Sequence, residues 1–461
     1  MTPQLALFAT IGLVFFLFRR DFRERPNVTP ALWLPIIWLL ISASRPVSAW
    51  LRLVGLPVGG ASSLEEGSPV DAFVYFTLLV FGVSVLVKRQ VRWSEIVRDN
   101  GWLVVFLAYC FLAVLWSDFP VVAFKRWIKI LGHPIMALIV FTEPNLEQAL
   151  ITLIKRCAYL LVPFSVLFIK YYPEWGREFD PWTGQGTFTG VTTGKNSLGR
   201  LCLVLGFFLS WNVLQVWRSE RTPARRRELL LNLVFLAVIA WLLRRANSAT
   251  SLLTLVAGVG IMLLTGLRLV NKRLMGTYVI TAVVTLAVAE LAFGILGHIV
   301  ESTGHSATLS GREELWGELL KIDTSPIFGT GFESFWLGPR LQALQANYWW
   351  HPNEAHNGYL EIYLSLGLVG LAILAALMID TFRKIRWELL RNLRFGQARI
   401  GLFTAILLYN WTEAAFKAVS LIWFVFYLIA LDYRGAGEEP YNQFSKNTES
   451  GQEGKLAYQE A

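Results

Sequence analysis

The amino-acid sequence predicts an all-α membrane protein that crosses the bilayer about 12 to 13 times. Of its 461 residues, 54% are hydrophobic and only 16% are charged, and the mean hydropathy is +0.48. The apolar residues come in nearly charge-free blocks, several of which approach the roughly 20 residues that a helix needs to span hydrocarbon. A helix of a soluble protein would instead show one apolar stripe and one charged face.

Thirteen apolar blocks follow one another along the chain: 4–18, 30–44, 70–87, 101–117, 128–142, 149–170, 197–217, 229–243, 249–267, 274–293, 356–380, 400–412 and 418–431. Basic connectors fall at nearly every second gap, at 19–25, 88–98, 218–227, 268–273 and 383–399. Because cytoplasmic loops carry an excess of Lys and Arg, these connectors are predicted to be cytoplasmic. The net charge of +9 is then an orientation signal, and nucleic-acid binding is the weaker alternative.

The same alternation predicts the segments that lie on the outer side of the membrane, opposite the basic connectors. They are 45–69, 118–127, 171–196 and 294–355, along with short turns around Asn247 and Glu413. Residues 1–434 are therefore expected to form one membrane-embedded domain with a large outer loop at 294–355. The tail at 435–461 is rich in Gly, Glu, Ser, Lys and Gln, which predicts a disordered cytoplasmic end.

The large outer loop carries a candidate anion-binding arginine. Ser310 and Glu313 have the spacing of a capping box, and apolar residues at helical spacing follow, Trp316 among them. A helix that begins here places Arg312 in its first turn, where a guanidinium and free backbone N–H groups could face one phosphate. The alternative is an ordinary surface helix whose arginine pairs with a glutamate.

The outer loop ends in a polar run that leads directly into an apolar block. His356 is the candidate base in this run. The positive end of the following helix disfavours an imidazolium, so His356 is predicted to stay neutral and able to accept a proton. Glu354 and Glu361 are candidates to orient or replace it. The alternative is a histidine that only makes hydrogen bonds at the membrane interface.

Further cations are predicted at the outer ends of membrane helices. They are Arg126, Lys195, Arg200, Arg244 and Arg245. Cations on this side oppose the orientation bias and are costly near hydrocarbon, so together they indicate an anionic ligand. Each alone could be an anchor at the interface. The three cysteines lie in apolar blocks without metal-binding spacing, and no metal or cofactor is predicted.

The ordered motifs of the chain resemble the O-antigen ligase and polysaccharide polymerase superfamily. The motifs are Thr193-Gly194-Lys195-Asn196-Ser197-Leu198-Gly199, Ser248-Ala249-Thr250-Ser251, Gly311-Arg312 with Leu315-Trp316, Pro326-Ile327-Phe328-Gly329-Thr330-Gly331-Phe332, and His356-Asn357-Gly358-Tyr359-Leu360 followed by Gly367 and Gly370. The run from Asp118 to Lys129, with the last motif, is most similar to the exopolysaccharide polymerase branch. Ligases of the superfamily commonly carry an arginine where this chain has Ala249, which favours a polymerase unless Arg244 or Arg245 compensates.

The resemblance implies a metal-independent, inverting glycosyltransferase of the GT-C type in the bacterial inner membrane, with its active site facing the periplasm. Its donor would be a polyprenyl-pyrophosphate-linked oligosaccharide and its acceptor a glycan. Membrane lipid and a chain-length regulator are further candidate partners. The favoured function is polymerisation of repeat units into exopolysaccharide or O-antigen. The alternatives are a ligase that transfers the glycan to lipid core or protein and, less favoured, a transporter of lipid-linked sugars.

Within that activity, His356 is predicted to act as the base and Arg312 to stabilise charge. The residues expected to bind the pyrophosphate are Arg126, Lys195, Arg245 and Arg200. Those expected to support the site are Asn357, Glu361, Glu354, Tyr359 and Trp316.

Overall fold

A computed structural model describes residues 2–25, 27–56, 67–179, 184, 186–279, 281, 312–348 and 350–433. Helices dominate these ranges, and a two-stranded hairpin accompanies them. The predicted tail at 435–461 and the part of the large outer loop before residue 312 lie outside the described residues.

The helices of the N-terminal part are α1 (Pro3–Glu24), α2 (Trp33–Ala43), α3 (Val47–Leu53), α4 (Pro69–Lys88), α5 (Trp93–Asp99), α6 (Gly101–Leu112), α7 (Pro120–Ile130), α8 (Gly132–Phe141), α9 (Leu146–Tyr171) and α10 (Pro173–Gly176). Strand β1 (Arg177–Phe179) pairs antiparallel with β2 (Gly186–Phe188). Helix α2 lies in the predicted block 30–44, whereas α3, which meets it at 66°, lies in the predicted outer segment 45–69. The predicted block 128–142 is divided between α7 and α8.

The helices of the C-terminal part are α11 (Lys195–Arg218), α12 (Pro223–Ala246), α13 (Ala249–Leu264), α14 (Arg312–Lys321), α15 (Gly338–Asn347), α16 (Gly358–Arg391), α17 (Leu393–Thr412) and α18 (Leu421–Ala430). Several of these helices begin at residues that favour a helix start. The Thr222 side chain accepts from the N–H of Arg225 at the start of α12, and Pro223 occupies the first turn. The described part of the predicted outer loop thus contains two helices, α14 and α15.

Five described helices, α4, α9, α11, α12 and α16, are long and apolar enough to cross a membrane. The bent pair that includes α2 and α3 adds a sixth if it forms one span, and α6, α13 and α18 are shorter apolar helices. The all-α polytopic architecture is therefore confirmed. By length and hydropathy, the described residues provide fewer full spans than the predicted 12 to 13, because several blocks form shorter or broken helices.

Polar contacts distinguish the two ends of the helical bundle. At one end, basic connectors meet: Arg20 pairs with Glu228 at 3.2 Å, and Arg218 donates to Gln397 at 3.0 Å. Helix α11 runs away from this end for 24 residues, or about 36 Å. At its other end, Asn196 contacts the turn after α17. The predicted outer segments therefore meet at the end of the bundle opposite the basic connectors.

Helix α16 is broken at Gly367, where φ is 67° and ψ is −165°, a combination that is essentially restricted to glycine. The outer segment 326–331 fills the break. The N–H groups of residues 368 and 369 donate to the carbonyl oxygens of Pro326 and Ile327, and those of residues 330 and 331 donate to the carbonyl oxygens of residues 364 and 365. The loop thus satisfies backbone groups that the break leaves without helical partners.

Candidate active site

Two hydrogen bonds fix the peptide before His356. The N–H of Ala355 donates to Glu361 Oε1 at 2.6 Å, and its carbonyl oxygen accepts from Trp316 Nε1 at 2.7 Å. The other carboxylate oxygen of Glu361 accepts from Trp336 Nε1 at 2.8 Å. With Ala355 held on both sides, His356 adopts a φ of 50°, which is uncommon for a residue other than glycine. Glu361 therefore supports the loop, whereas the sequence predicted that it would orient or replace the imidazole.

Helix α16 begins directly after His356. The Asn357 side chain accepts from the N–H groups of Tyr359 and Leu360 at 3.0 and 3.1 Å, so Asn357 is the N-cap. The Tyr359 hydroxyl donates to the carbonyl oxygen of Leu407 at 3.0 Å. These contacts hold the start of α16 against α17 and fix the position of the preceding histidine.

Four ionisable side chains meet around the imidazole of His356: Arg312, Glu354, Glu413 and Lys417. These five residues are here called the charged cluster. His356 Nδ1 lies 3.1 Å from Glu354 Oε1 and 3.6 Å from Glu413 Oε2. Lys417 Nζ lies 2.5 Å from Glu354 Oε2, and a guanidinium nitrogen of Arg312 lies 3.0 Å from Glu413 Oε1. Each carboxylate therefore connects the imidazole to a second cation.

Arg312 lies in the first turn of α14, as predicted, and it does pair with a glutamate. Its partner, Glu413, belongs to the turn after α17 and also accepts from Asn196 Nδ2 at 2.9 Å. Arg312 donates to the carbonyl oxygen of Thr412 as well. The predicted capping residue, Ser310, lies outside the described residues. The arginine therefore joins the outer helix to two membrane helices.

The two carboxylates determine the charge of His356. Burial lowers the pKa of His356, but its contacts with Glu354 and Glu413 outweigh burial and raise the pKa to about 9. Burial raises the pKa of Glu354, but Lys417 and His356 outweigh it and hold that pKa well below its usual range. The prediction that His356 stays neutral is therefore wrong, because two nearby carboxylates outweigh the helix dipole.

Two of the cations predicted to bind pyrophosphate belong to segments that contact the turn carrying Glu413 and Lys417. Arg126 donates to the carbonyl oxygen of Glu333, whose side chain accepts from the N–H of Ala418, the residue after Lys417. Lys195 is the first residue of α11 and precedes Asn196, which contacts Glu413. The outer ends of α7 and α11 thus bring two further cations to the same region.

The other two predicted cations make local contacts. Arg200 donates to Ser197 Oγ at 3.0 Å, one turn earlier on α11. The guanidinium of Arg245 lies over the rings of Phe188 and Trp241, at 5.3 and 5.4 Å from their centroids. Arg245 thus packs between the hairpin and α12, and these contacts do not join it to the charged cluster.

Glu354, His356 and Glu413 also form a potential metal-ligand set, since one ligand atom from each lies within 4.8 Å of the others. Sequence spacing did not indicate this set, because its members come from separate parts of the chain. Lys417 and Arg312 already pair with the two carboxylates. A metal would also have to displace the proton that these carboxylates stabilise on the imidazole. The arrangement therefore suits a protonated histidine better than a divalent cation.

Sequence reasoning missed Glu413 and Lys417. Both lie in the turn between α17 and α18, which the sequence placed outside the membrane without assigning it a role. An acid and a lysine between two apolar helices were the available signal, because ionisable groups at such positions are often functional. No local spacing related them to His356.

Residues 231–375 match the O-antigen ligase family. The matched region contains three members of the charged cluster, Arg312, Glu354 and His356, whereas Glu413 and Lys417 lie beyond its end. The charged cluster thus combines residues of the region similar to O-antigen ligases with two residues of the turn between α17 and α18.

The chain is also similar to the exopolysaccharide production protein ExoQ of Rhizobium meliloti (strain 1021), with 26% identity over 297 residues. The alignment covers 61% of this chain and 64% of ExoQ, so the chain spans less than two thirds of the length of this relative. Together with the match to the O-antigen ligase family, this similarity confirms the resemblance to the O-antigen ligase and polysaccharide polymerase superfamily.

Proposed function

We propose that the protein polymerises polyprenyl-pyrophosphate-linked oligosaccharide repeat units into exopolysaccharide or O-antigen. The charged cluster is the observation that carries this proposal. With His356 protonated, its three cations and two carboxylates leave one net positive charge beside the N-terminus of α16. Such a site suits a pyrophosphate group. The match to the O-antigen ligase family and the similarity to an exopolysaccharide production protein support the glycan chemistry.

The proposed reaction takes place at the periplasmic face of the bacterial inner membrane. The charged cluster and the basic connectors are at opposite ends of α17, where Gln397 contacts Arg218 near one end and Thr412 contacts Arg312 at the other. The positive-inside rule assigns the basic end to the cytoplasm, which supports a periplasmic site.

In the proposed mechanism, an acceptor hydroxyl attacks the anomeric carbon of the donor, and polyprenyl pyrophosphate leaves with inversion. Arg312 and the imidazolium of His356 stabilise the charge that develops on the leaving group, an effect of about 3–4 kcal/mol for one well-placed donor. Glu413 and Glu354 keep these cations in position. The proton of the hydroxyl passes to the pyrophosphate once the new C–O bond has formed. A charged role for His356 thus replaces the base predicted from the sequence.

This role predicts a specific pH dependence. Because the pKa of His356 is raised to about 9, the imidazolium is present below that pH and is lost as the pH rises through it. The initial rate of elongation is expected to be nearly constant between about pH 6 and 8 and to fall above about pH 9. This pH dependence is measured as the elongation rate of purified protein with lipid-linked donor. Thermal unfolding at each pH checks that the protein stays folded. A tenfold rise per pH unit up to pH 9 would show that the neutral imidazole acts as a base.

Chelation of divalent cations is expected to leave the reaction unchanged. The carboxylates that could bind a metal are paired with Lys417, Arg312 and the imidazolium. The elongation rate in excess EDTA should equal the rate with added Mg²⁺, measured after the protein has been dialysed against chelator. Loss of activity in EDTA that returns on addition of metal would contradict the proposal and would point to the Glu354, His356 and Glu413 set.

The glycan lipid that accumulates in a strain without the protein tests the proposed function. A polymerase is expected to leave single repeat units on the lipid carrier, because no step joins them. Full-length lipid-linked chains would instead assign a ligase that uses a finished polymer. In reconstituted vesicles, translocation of lipid-linked units without chain growth would indicate a transporter.

A further inference from the structure

The outer helices α14 and α15 form a cleft that is separate from the charged cluster, with a volume of about 550 Å³. Its lining is mixed: Ile322, Ala343 and Leu344 are apolar, and Glu314, Glu318, Arg340, Asn347 and Tyr348 are polar. Positions 314 and 318 are one turn apart on α14, and positions 340, 343 and 347 share a face of α15. The cleft is thus formed by two helix faces opposite each other.

Buried apolar side chains pack the two helices together. Leu315 and Leu319 of α14 pack with Leu341 and Leu344 of α15 in a small buried core. On one wall, Arg340 donates to Asp118 Oδ2 at 2.8 Å, which connects α15 to the segment before α7. Because these contacts are already in place, a ligand would not have to order the two helices on binding.

Aromatic rings connect the cleft to the charged cluster. The rings of Tyr348 and Trp350 are 5.7 Å apart, and the rings of Trp350 and His356 are 6.4 Å apart. Trp316, on the α14 side, donates to the peptide that precedes His356. An extended molecule that follows these amphipathic rings out of the cleft therefore reaches the imidazole.

The chemistry of the lining indicates what the cleft would bind. Two carboxylates, a guanidinium, an amide and a phenol offer several hydrogen-bond acceptors and donors, which suits a ligand rich in hydroxyl groups. The lining cation Arg340 is paired with Asp118, and Glu318 with Lys321, so no positive charge in the lining is left to attract an anion, in contrast to the positive charge around His356. The charged cluster thus suits a pyrophosphate, and the cleft suits an uncharged saccharide of the same glycosyl-transfer reaction.

We propose that the cleft between α14 and α15 is a saccharide subsite that holds an uncharged stretch of glycan beside His356. The inference rests on the proposed function and extends it by assigning a surface for sugar recognition. The saccharide belongs either to the acceptor or to the lipid-linked donor, and two arms of the experiment distinguish these sources.

The first arm measures binding to the purified full-length protein by calorimetry. The probe is the free repeat-unit oligosaccharide, released by mild acid from the glycan lipid of a strain without the protein. Ala343→Trp, which fills the cleft, and the double variant Glu314→Gln with Glu318→Gln are each expected to weaken binding at least about tenfold. The matched controls, Ala346→Trp on α15 and Glu313→Gln on α14, alter exposed residues outside the lining and should bind as the wild type does.

Thermal unfolding of each variant confirms that the fold is retained. Unchanged binding by Ala343→Trp, an equal loss in Ala346→Trp, or no detectable binding by the wild type would overturn the subsite. The probe should also bind to His356→Asn, in which the charged cluster is altered but the cleft is intact. Saccharide binding in a protein without polymerase activity would reject the proposed function and retain the subsite.

The second arm identifies the source of the saccharide by steady-state kinetics with Ala343→Trp. If the cleft holds the acceptor, KM for the acceptor rises about tenfold while KM for the lipid-linked donor and kcat stay near the wild-type values. The reverse pattern assigns the cleft to the donor saccharide. Wild-type values of both KM constants would contradict a subsite in either form.

Discussion

Replacement of His356 by asparagine is expected to slow chain elongation about 100- to 1,000-fold while the protein remains folded in the membrane. The loss follows because the imidazolium no longer stabilises charge on the departing pyrophosphate. Asparagine is a better replacement than alanine, since His356 has a φ of 50° and asparagine tolerates this region of backbone conformation. Initial rates with purified variant, together with the chain length of polysaccharide made in cells, measure the effect.

The chain offers a matched control for this substitution. His351 lies in the same loop, is exposed and also has a positive φ, 46°. His351→Asn should therefore impose the same backbone requirement and leave elongation unchanged. Wild-type rates and chain lengths in His356→Asn would reject its catalytic assignment, and an equal loss in both variants would indicate a general effect on the loop.

Gly367→Ala is expected to destabilise the protein by about 3 kcal/mol or more, because its φ of 67° strains a side chain and the added methyl group would meet backbone atoms. A Cβ atom at this position would lie 2.1 Å from the carbonyl oxygen of Ile327 and 2.5 Å from the nitrogen of Phe328. Both are backbone atoms of the segment that fills the break in α16, so neither can move without displacing that segment. Thermal unfolding in detergent and the yield of monodisperse protein measure the loss.

Gly260→Ala provides the comparison for this prediction. Gly260 lies within α13, and an added Cβ would have no neighbouring atom within 4 Å. This second substitution should leave stability unchanged or raise it by up to about 1 kcal/mol, because alanine favours a helix more than glycine does. If the two variants unfold at the same temperature, the break does not require glycine.

Local sequence patterns predicted the structure correctly where a feature depends on one short segment alone. The helical spacing after Arg312 correctly placed this residue in the first turn of α14. The polar run that leads into the apolar block at 356–380 correctly indicated the start of a helix, and Asn357 caps it. In each case, the groups involved are only a few residues apart, so their separation in the sequence determines how they are arranged in the structure.

Contacts between distant segments could not be read in this way. The charge of His356 depends on Glu413, which reaches it from the turn after α17. The break at Gly367 depends on the outer segment 326–331, whereas the sequence shows only a glycine within an apolar block. Hydropathy likewise marks apolar residues but does not show that 128–142 is divided between α7 and α8. Tertiary packing decides all three features.

The break in α16 also sets the depth of the chemistry. Between the break and the basic connector that begins at residue 383, residues 368–382 would extend about 22 Å as a helix, less than the roughly 30 Å of hydrocarbon. The piece from 358 to 366, about 13 Å long, is therefore needed to complete the span up to the outer boundary of the hydrocarbon. His356, just before this piece, would stand at the level of lipid headgroups. A polyprenyl carrier could therefore present its pyrophosphate there while its isoprenoid chain stays dissolved in the bilayer.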